Sequence, residues 1–131
     1  MILVDTSVLI GFFQRHENPS VLKFREILTR EIPFGITAQI LQEILQGTKT
    51  QNDFDRSKAY LETQVFYYPR DPIGSYAQAA QLYRQCRQNG VTPRSTIDCL
   101  IAQIAIENNL ALLHRDRDFD SMAKIVDLKL Y

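Results

Sequence analysis

The sequence predicts an α/β fold in which a mostly parallel sheet of four to five short strands is covered by helices on both sides. Two observations carry that reading. Apolar runs of three or four residues recur without interleaved polar positions, the pattern of strands buried on both faces. Between them lie segments with apolar residues at three- and four-residue spacing, so strand and helix alternate along the chain.

Ile2-Leu3-Val4 is the first strand, and Asp5-Thr6-Ser7 after it carries helix N-cap chemistry. A helix then begins at Val8-Leu9-Ile10-Gly11-Phe12-Phe13. Ser20 is the expected cap of a second helix to about Thr29, with Val21, Phe24, Ile27 and Leu28 at helical spacing. Pro33-Phe34-Gly35-Ile36 reads as the second strand, and Thr37 caps a helix that stops near Gly47. Asp53 to Glu62 is the next helix and Val65-Phe66-Tyr67-Tyr68 the third strand, closed by Pro69. Helices over Ile73 to Gln88 and Ser95 to Asn108 precede a fourth strand at Leu110-Ala111-Leu112-Leu113. A short last strand is expected near Lys124 to Leu128.

Composition narrows the function classes. With 131 residues, 45% hydrophobic and 23% charged, the chain has the size and balance of one globular domain, residues 1–131. Fifteen Lys and Arg offset fifteen Asp and Glu, so no overall basic field marks a nucleic-acid binder, and any such surface must be local. No apolar run has the length of a membrane span, and Met1-Ile2-Leu3-Val4 lacks the basic start of a signal peptide. Cys86 and Cys99 have no zinc-ligand spacing and read as reduced thiols of a cytoplasmic protein.

Four acids stand at comparable places. Asp5 ends the first strand, Glu43 lies in the helix after the second, Asp98 lies in the first turn of the helix before the fourth, and Asp116 follows that strand. In open α/β sheets ligands sit beyond the carboxyl ends of the strands, so all four are expected at one crevice. Glu43 flanks the apolar stripe of Ile40, Leu41, Ile44 and Leu45, and Asp98 borders that of Ile97, Leu100, Ile101 and Ile104. Two such charges about 5 Å apart repel by about 3 kcal/mol at an effective dielectric of 20. An all-oxygen set without His or Cys suits Mg²⁺ or Mn²⁺, and with them phosphodiester hydrolysis. Each acid also has a structural reading. Asp5 can cap the first helix, Ser95-Thr96-Ile97-Asp98 matches a capping box, Glu43 can be a solvated charge, and Asp116 and Asp118 can be turn residues. Caps explain the acids singly but not their convergence.

Four segments together resemble the PIN-domain ribonucleases, specifically the VapC toxins of toxin–antitoxin pairs. They are Ile2 to Ser7, Thr37 to Leu45, Ser95-Thr96-Ile97-Asp98-Cys99-Leu100-Ile101-Ala102, and Leu112-Leu113-His114-Arg115-Asp116-Arg117-Asp118-Phe119-Asp120. The resemblance implies a three-layer α/β/α PIN-like fold and a Mg²⁺- or Mn²⁺-dependent endoribonuclease using metal-activated water. It places Asp5, Glu43, Asp98 and Asp116 on the family's metal-binding positions. Asp118 matches an additional acid that assists through a water or from behind the metal ligands, and Ser7 a polar position that binds a metal water or caps the helix. His114 stands where the family usually has Thr or Ser, finishing a buried strand. A homodimer, an RNA substrate and a VapB-type antitoxin whose tail blocks the acidic cleft are implied as well.

RNA beside an acidic cleft needs basic contacts, because phosphate contacts dominate affinity. Arg84 and Arg87 share a helix face, Arg94 precedes Asp98, and Arg115 and Arg117 flank Asp116. The same arginines also read as a solvated face and as local partners of Asp116 and Asp118. Nucleotide-binding glycine motifs are absent. The rival to the nuclease is a non-catalytic PIN-like or flavodoxin-like binding module whose acids are helix caps or partner contacts.

Overall fold

The computed structural model describes residues 1–131. Five strands form one sheet in the order β3-β2-β1-β4-β5: β1 is Ile2–Val4, β2 Phe34–Thr37, β3 Val65–Tyr67, β4 Ala111–Leu113 and β5 Lys129–Leu130. Every pairing is parallel. The helices are α1 Thr6–Phe13, α2 Pro19–Thr29, α3 Ala38–Gln46, α4 Gln51–Leu61, α5 Gly74–Gln88, α6 Thr96–Glu107 and α7 Arg117–Ala123.

Strand order decides the layers. The chain walks outward from β1 to β2 to β3, then returns past β1 to β4 and on to β5. Right-handed crossovers put α1 to α4 on one face and α5 to α7 on the other, giving the three-layer α/β/α arrangement. Within the first layer α1 packs on α2 and α3, and α3 on α4; in the second α5 packs along α6. The direction of travel reverses between β1 and β4, which makes the carboxyl ends of those strands the expected ligand crevice.

The centre of the sheet is wholly apolar. Leu3 pairs with Gly35 on one side and Leu112 on the other, and Leu3, Val4, Ile36 and Leu112 are fully buried. Phe24 of α2 fills the core above β2, with Phe12 and Phe34 edge-on at ring distances of 5.0 and 5.2 Å. The outer strands depart from the expected burial on both faces. Val65 of β3 and both residues of β5 are exposed, because an edge strand lacks a neighbour and partial helix cover leaves one side open.

Three sequence expectations are corrected. The second helix is capped by Asn18, whose side chain accepts from the Val21 amide, with Pro19 pre-set for the first helical position. Ser20 instead donates its hydroxyl to the His114 carbonyl at 2.9 Å. The last strand is Lys129–Leu130 rather than Lys124 to Leu128, since an unforeseen helix, α7, occupies Arg117–Ala123 and ends on Lys124. Asp116 caps α7, Asp118 and Asp120 stand in its first turn, and Phe119 and Met122 bury its inner face. Ile97 is 41% exposed and lies outside the buried stripe of α6, which Cys99, Leu100, Ile101, Ala102, Ile104 and Ala105 form instead.

Gly35 sits where backbone and ring crowd closest. A Cβ there would stand 2.5 Å from Tyr67 Cε2 and 2.7 Å from the Val65 carbonyl oxygen. Because one obstacle is the neighbouring strand itself, Gly35→Ala is expected to destabilise the fold by about 1–3 kcal/mol, read as a lower urea midpoint at unchanged slope.

Candidate active site

The acidic cluster lies over the carboxyl ends of β1 and β4. The Asp5 amide donates to the Leu113 carbonyl at 2.9 Å, so the chain leaves β1 directly beside the end of β4. Asp5 then caps α1. Its Oδ2 accepts from the Ser7 amide at 3.1 Å and from the Ser7 hydroxyl at 2.6 Å. Ser7 Oγ in turn accepts from the Arg115 amide at 3.0 Å, which ties the start of α1 to the turn after β4.

Glu43 reaches the same edge from α3, whose start Thr37 caps through the Ile40 amide. The Thr6 hydroxyl donates to Glu43 Oε1 at 3.3 Å. Thr6 was not singled out by the sequence, because only the packing of α1 on α3 reveals the contact.

Asp98, Asp116 and Asp118 come closest together, each offering a carboxylate oxygen within 4.8 Å of the others. Asp116 Oδ1 accepts from the Asp118 amide at 2.9 Å as the cap of α7. Arg94 reaches across from the loop between α5 and α6. Its Nη2 meets Asp116 Oδ1 at 3.1 Å, and its Nε and backbone amide meet Asp118 Oδ2 at 3.0 and 3.1 Å. Asp98 stands apart. Ser95 accepts from its amide at 3.4 Å, but its own carboxylate makes no hydrogen bond. The capping box is therefore half formed, and the acid itself is left for the crevice.

Protonation follows from this crowding. Burial, then the charges of Asp5, Asp116, Glu43 and Asp118, push the Asp98 carboxyl up to about 7. Burial also raises Asp5, against the pull of its Ser7 hydrogen bonds. Glu43 is raised by burial and by Asp5. Asp118 is lowered although burial opposes it, because Arg94 donates to it from backbone and side chain.

A common pattern emerges in the hydrogen bonding. On Asp5, Glu43, Asp116 and Asp118 one carboxylate oxygen is held by protein donors and the other is not, while both oxygens of Asp98 are free. Fixed carboxylates with an unused oxygen, mutually repelling and without His or Cys, fit a hard cation such as Mg²⁺ or Mn²⁺. The ring of His114 faces inward. Its Nδ1 accepts from the Asp116 amide at 3.0 Å and its Nε2 lies 3.3 Å from Asp120 Oδ1, so both nitrogens brace the turn that carries Asp116.

The basic candidates divide. Arg94 is engaged with Asp116 and Asp118, while Arg115 and Arg117 are exposed beside the cluster. Arg84 and Arg87 line an open groove of about 580 Å³ between α5 and α6, with Tyr76, Tyr83 and Ile97. Arg94 also lines that groove, so it connects the groove to the acids.

The raised Asp98 gives a signed pH dependence. Its folded pKa lies above the unfolded one, so the folded state holds the extra proton between about pH 4 and 7, and stability falls as pH rises through that window. Asn at this position loses no hydrogen bond. In metal-free buffer at pH 7.5, Asp98→Asn is expected to raise stability by about 1 kcal/mol, after discounting for solvent screening of a half-exposed group. The gain should vanish at pH 4, and urea melts at the two pH values check it.

Residues 2–125 match the PIN domain family. Over 98% of this chain and 96% of the relative, the sequence is 35% identical to VapC ribonuclease Mb1587 of Mycobacterium bovis. Ribonuclease VapC11 of Mycobacterium tuberculosis matches to the same extent, 35% over 98% of this chain and 96% of its own. Among solved structures, VapBC2 from Rickettsia felis bound to a promoter DNA fragment superposes with a TM-score of 0.74 at 20% identity, covering 100% of this chain and 98% of that one. FitAcB from Neisseria gonorrhoeae gives 0.70 at 19% identity, covering 100% and 96%. Fold, chain-wide identity and the order of the acid-bearing segments agree: the chain belongs to the PIN-domain family and, within it, to the VapC ribonucleases.

Proposed function

We propose that this protein is the toxin of a VapBC-type pair, a single PIN domain that cuts RNA in a Mg²⁺- or Mn²⁺-dependent reaction. Asp5, Glu43, Asp98 and Asp116 would hold the ion or ions, with Asp118 and Ser7 supporting them. The observation that carries the reading is the cluster itself: Asp98, Asp116 and Asp118 offer oxygens within 4.8 Å of one another, Asp5 and Glu43 lie near enough to act on Asp98, and each of the five keeps at least one oxygen unused by the protein. Capping accounts for Asp5 and Asp116 but gives no role to the Asp98 carboxylate, which makes no hydrogen bond within the cluster.

A divalent ion bound there supplies activation of the attacking water and neutralises charge on the phosphate. The chain's own residues do the rest. Ser7 and Thr6 fix Asp5 and Glu43, and His114 fixes the turn bearing Asp116. Asp98 must lose its proton to ligate, so cation affinity rises with pH toward neutrality. Arg115 and Arg117, exposed beside the cluster, and Arg84 and Arg87, exposed in the groove between α5 and α6, are proposed to hold RNA phosphates.

Partners extend the proposal. The relatives of similar fold include toxin–antitoxin complexes named for VapBC and FitAB, which supports a VapB-type antitoxin as the protein partner here. A homodimer in the cytoplasm completes it. No helix is long and apolar enough to cross a membrane.

Incubating total cellular RNA with purified protein and added Mn²⁺ or Mg²⁺ tests the reaction. Discrete fragments are expected from wild type, none with EDTA, and a loss of about 100-fold or more in Asp5→Asn and Asp98→Asn. Equal cleavage by all three proteins would remove these carboxylates from the chemistry. If wild type neither cuts RNA nor binds Mn²⁺ more tightly than Asp98→Asn, the protein is a binding module instead.

A further inference from the structure

Arg94 reads at first as an RNA contact, yet the structure gives it other work. Its guanidinium faces the protein's own acids, with separate nitrogens on Asp116 Oδ1 and Asp118 Oδ2. The backbone amide of the same residue adds a third bond, again to Asp118 Oδ2. These three bonds are the whole hydrogen-bonded link between the loop that leads into α6 and the turn that starts α7. Asp98 lies on one side of that link, four residues after Arg94, and Asp116 and Asp118 lie on the other.

Apolar packing of α6 and α7 seats the two segments, but no other hydrogen bond joins them where the acids repel. Asp98 has no hydrogen bond of its own to the α7 side, and its approach to Asp116 and Asp118 within 4.8 Å sets like charges against one another. The two oxygens that Arg94 occupies are not the remaining ones. Asp116 Oδ2 and Asp118 Oδ1 stay unused, as they would have to for a cation. The fork therefore takes one oxygen of each carboxylate and leaves the other open.

We propose that Arg94 is a positioning residue of the metal site: a clamp that sets Asp116 and Asp118 against Asp98 and orients their free oxygens, rather than a phosphate contact. This rests on the metal-dependent reading above. Arginine suits the task because its rigid fork serves two acceptors at fixed spacing, which a lysine ammonium does not.

The sign of one measurement separates a clamp from a mere counter-charge. Removing a positive charge from an acidic cluster strengthens cation binding by Coulomb attraction alone. Removing a clamp weakens it, by about 10- to 100-fold for an outer ligand of a metal site. Mn²⁺ would be titrated into wild type, Arg94→Gln, Arg94→Lys, Asp118→Asn and the Arg94→Gln/Asp118→Asn double variant, with circular dichroism and thermal melts confirming the fold. Arg94 is exposed, so truncation opens no cavity. Should Arg94→Gln fail to fold, Arg94→Lys makes the same comparison with the charge retained.

Expected are a 10- to 100-fold weaker Mn²⁺ affinity in Arg94→Gln, no restoration by Lys, and a smaller cost of Arg94→Gln when Asp118 is already Asn. Equal or tighter Mn²⁺ binding by Arg94→Gln overturns the clamp. So does an undiminished cost in the Asp118→Asn background, or a loss of RNA affinity with Mn²⁺ affinity unchanged. Absence of Mn²⁺ binding by wild type removes the metal reading and the clamp together; binding by wild type with unaltered variants removes the clamp alone.

Discussion

Electrostatic repulsion at the edge of the sheet is the constraint on which the rest of this structure turns. Five carboxylates share the space beyond β1 and β4, and no arrangement of them is favourable in isolation. The surrounding elements hold them by supplying donors. Helix starts offer backbone amides to Asp5 and Asp116, hydroxyls of Ser7 and Thr6 reach Asp5 and Glu43, and Arg94 spans Asp116 and Asp118. Beneath them the apolar centre of the sheet, with Leu3 and Leu112 fully buried, gives these turns a fixed floor. Only Asp98 is left without a donor, and burial together with the charges around it pushes its carboxyl up to about 7.

The structural and functional readings of an acidic residue are often treated as rivals, but here they are compatible. Asp5 and Asp116 are both genuine helix caps, each with one oxygen on a backbone amide. A carboxylate has two oxygens and about four acceptor positions, so capping orients it without exhausting it. Ser95 shows the other side of the argument. It caps α6 as expected, while Asp98 does not return the bond to the cap. A capping-box match thus identifies the helix start correctly and the duty of the acid wrongly.

Much of this was legible in the sequence, for physical reasons that also explain the gaps. Two-sided burial made β1, β2 and β4 visible as bare apolar runs, and Thr37, Ser95 and Gly47 marked helix ends. The crevice followed from topology, because acids that trail parallel strands must meet at their carboxyl ends. What escaped had weak or divided local signal. α7 is seven residues long, and its acidic start, Asp116-Arg117-Asp118, looks the same as a turn. Asn18 and Ser20 are both good caps, and Pro19 between them decides in favour of Asn18. Thr6 on Glu43 and Arg94 on Asp116 are contacts between distant segments, 37 and 22 residues apart, so no local pattern predicts them.

The pairing of β1 with β4 brings residues 2 to 4 against residues 111 to 113, nearly the full length of the chain. The centre of the sheet therefore closes only when β4, the fourth strand in chain order, reaches β1. During synthesis Asp5 and Glu43 leave the ribosome well before the strand that brings Asp116 beside them. For an RNA-cutting protein made next to a large reservoir of RNA, that order of assembly has a protective side. Until β4 pairs with β1, Asp116 cannot stand beside Asp5, and the acidic cluster is not assembled.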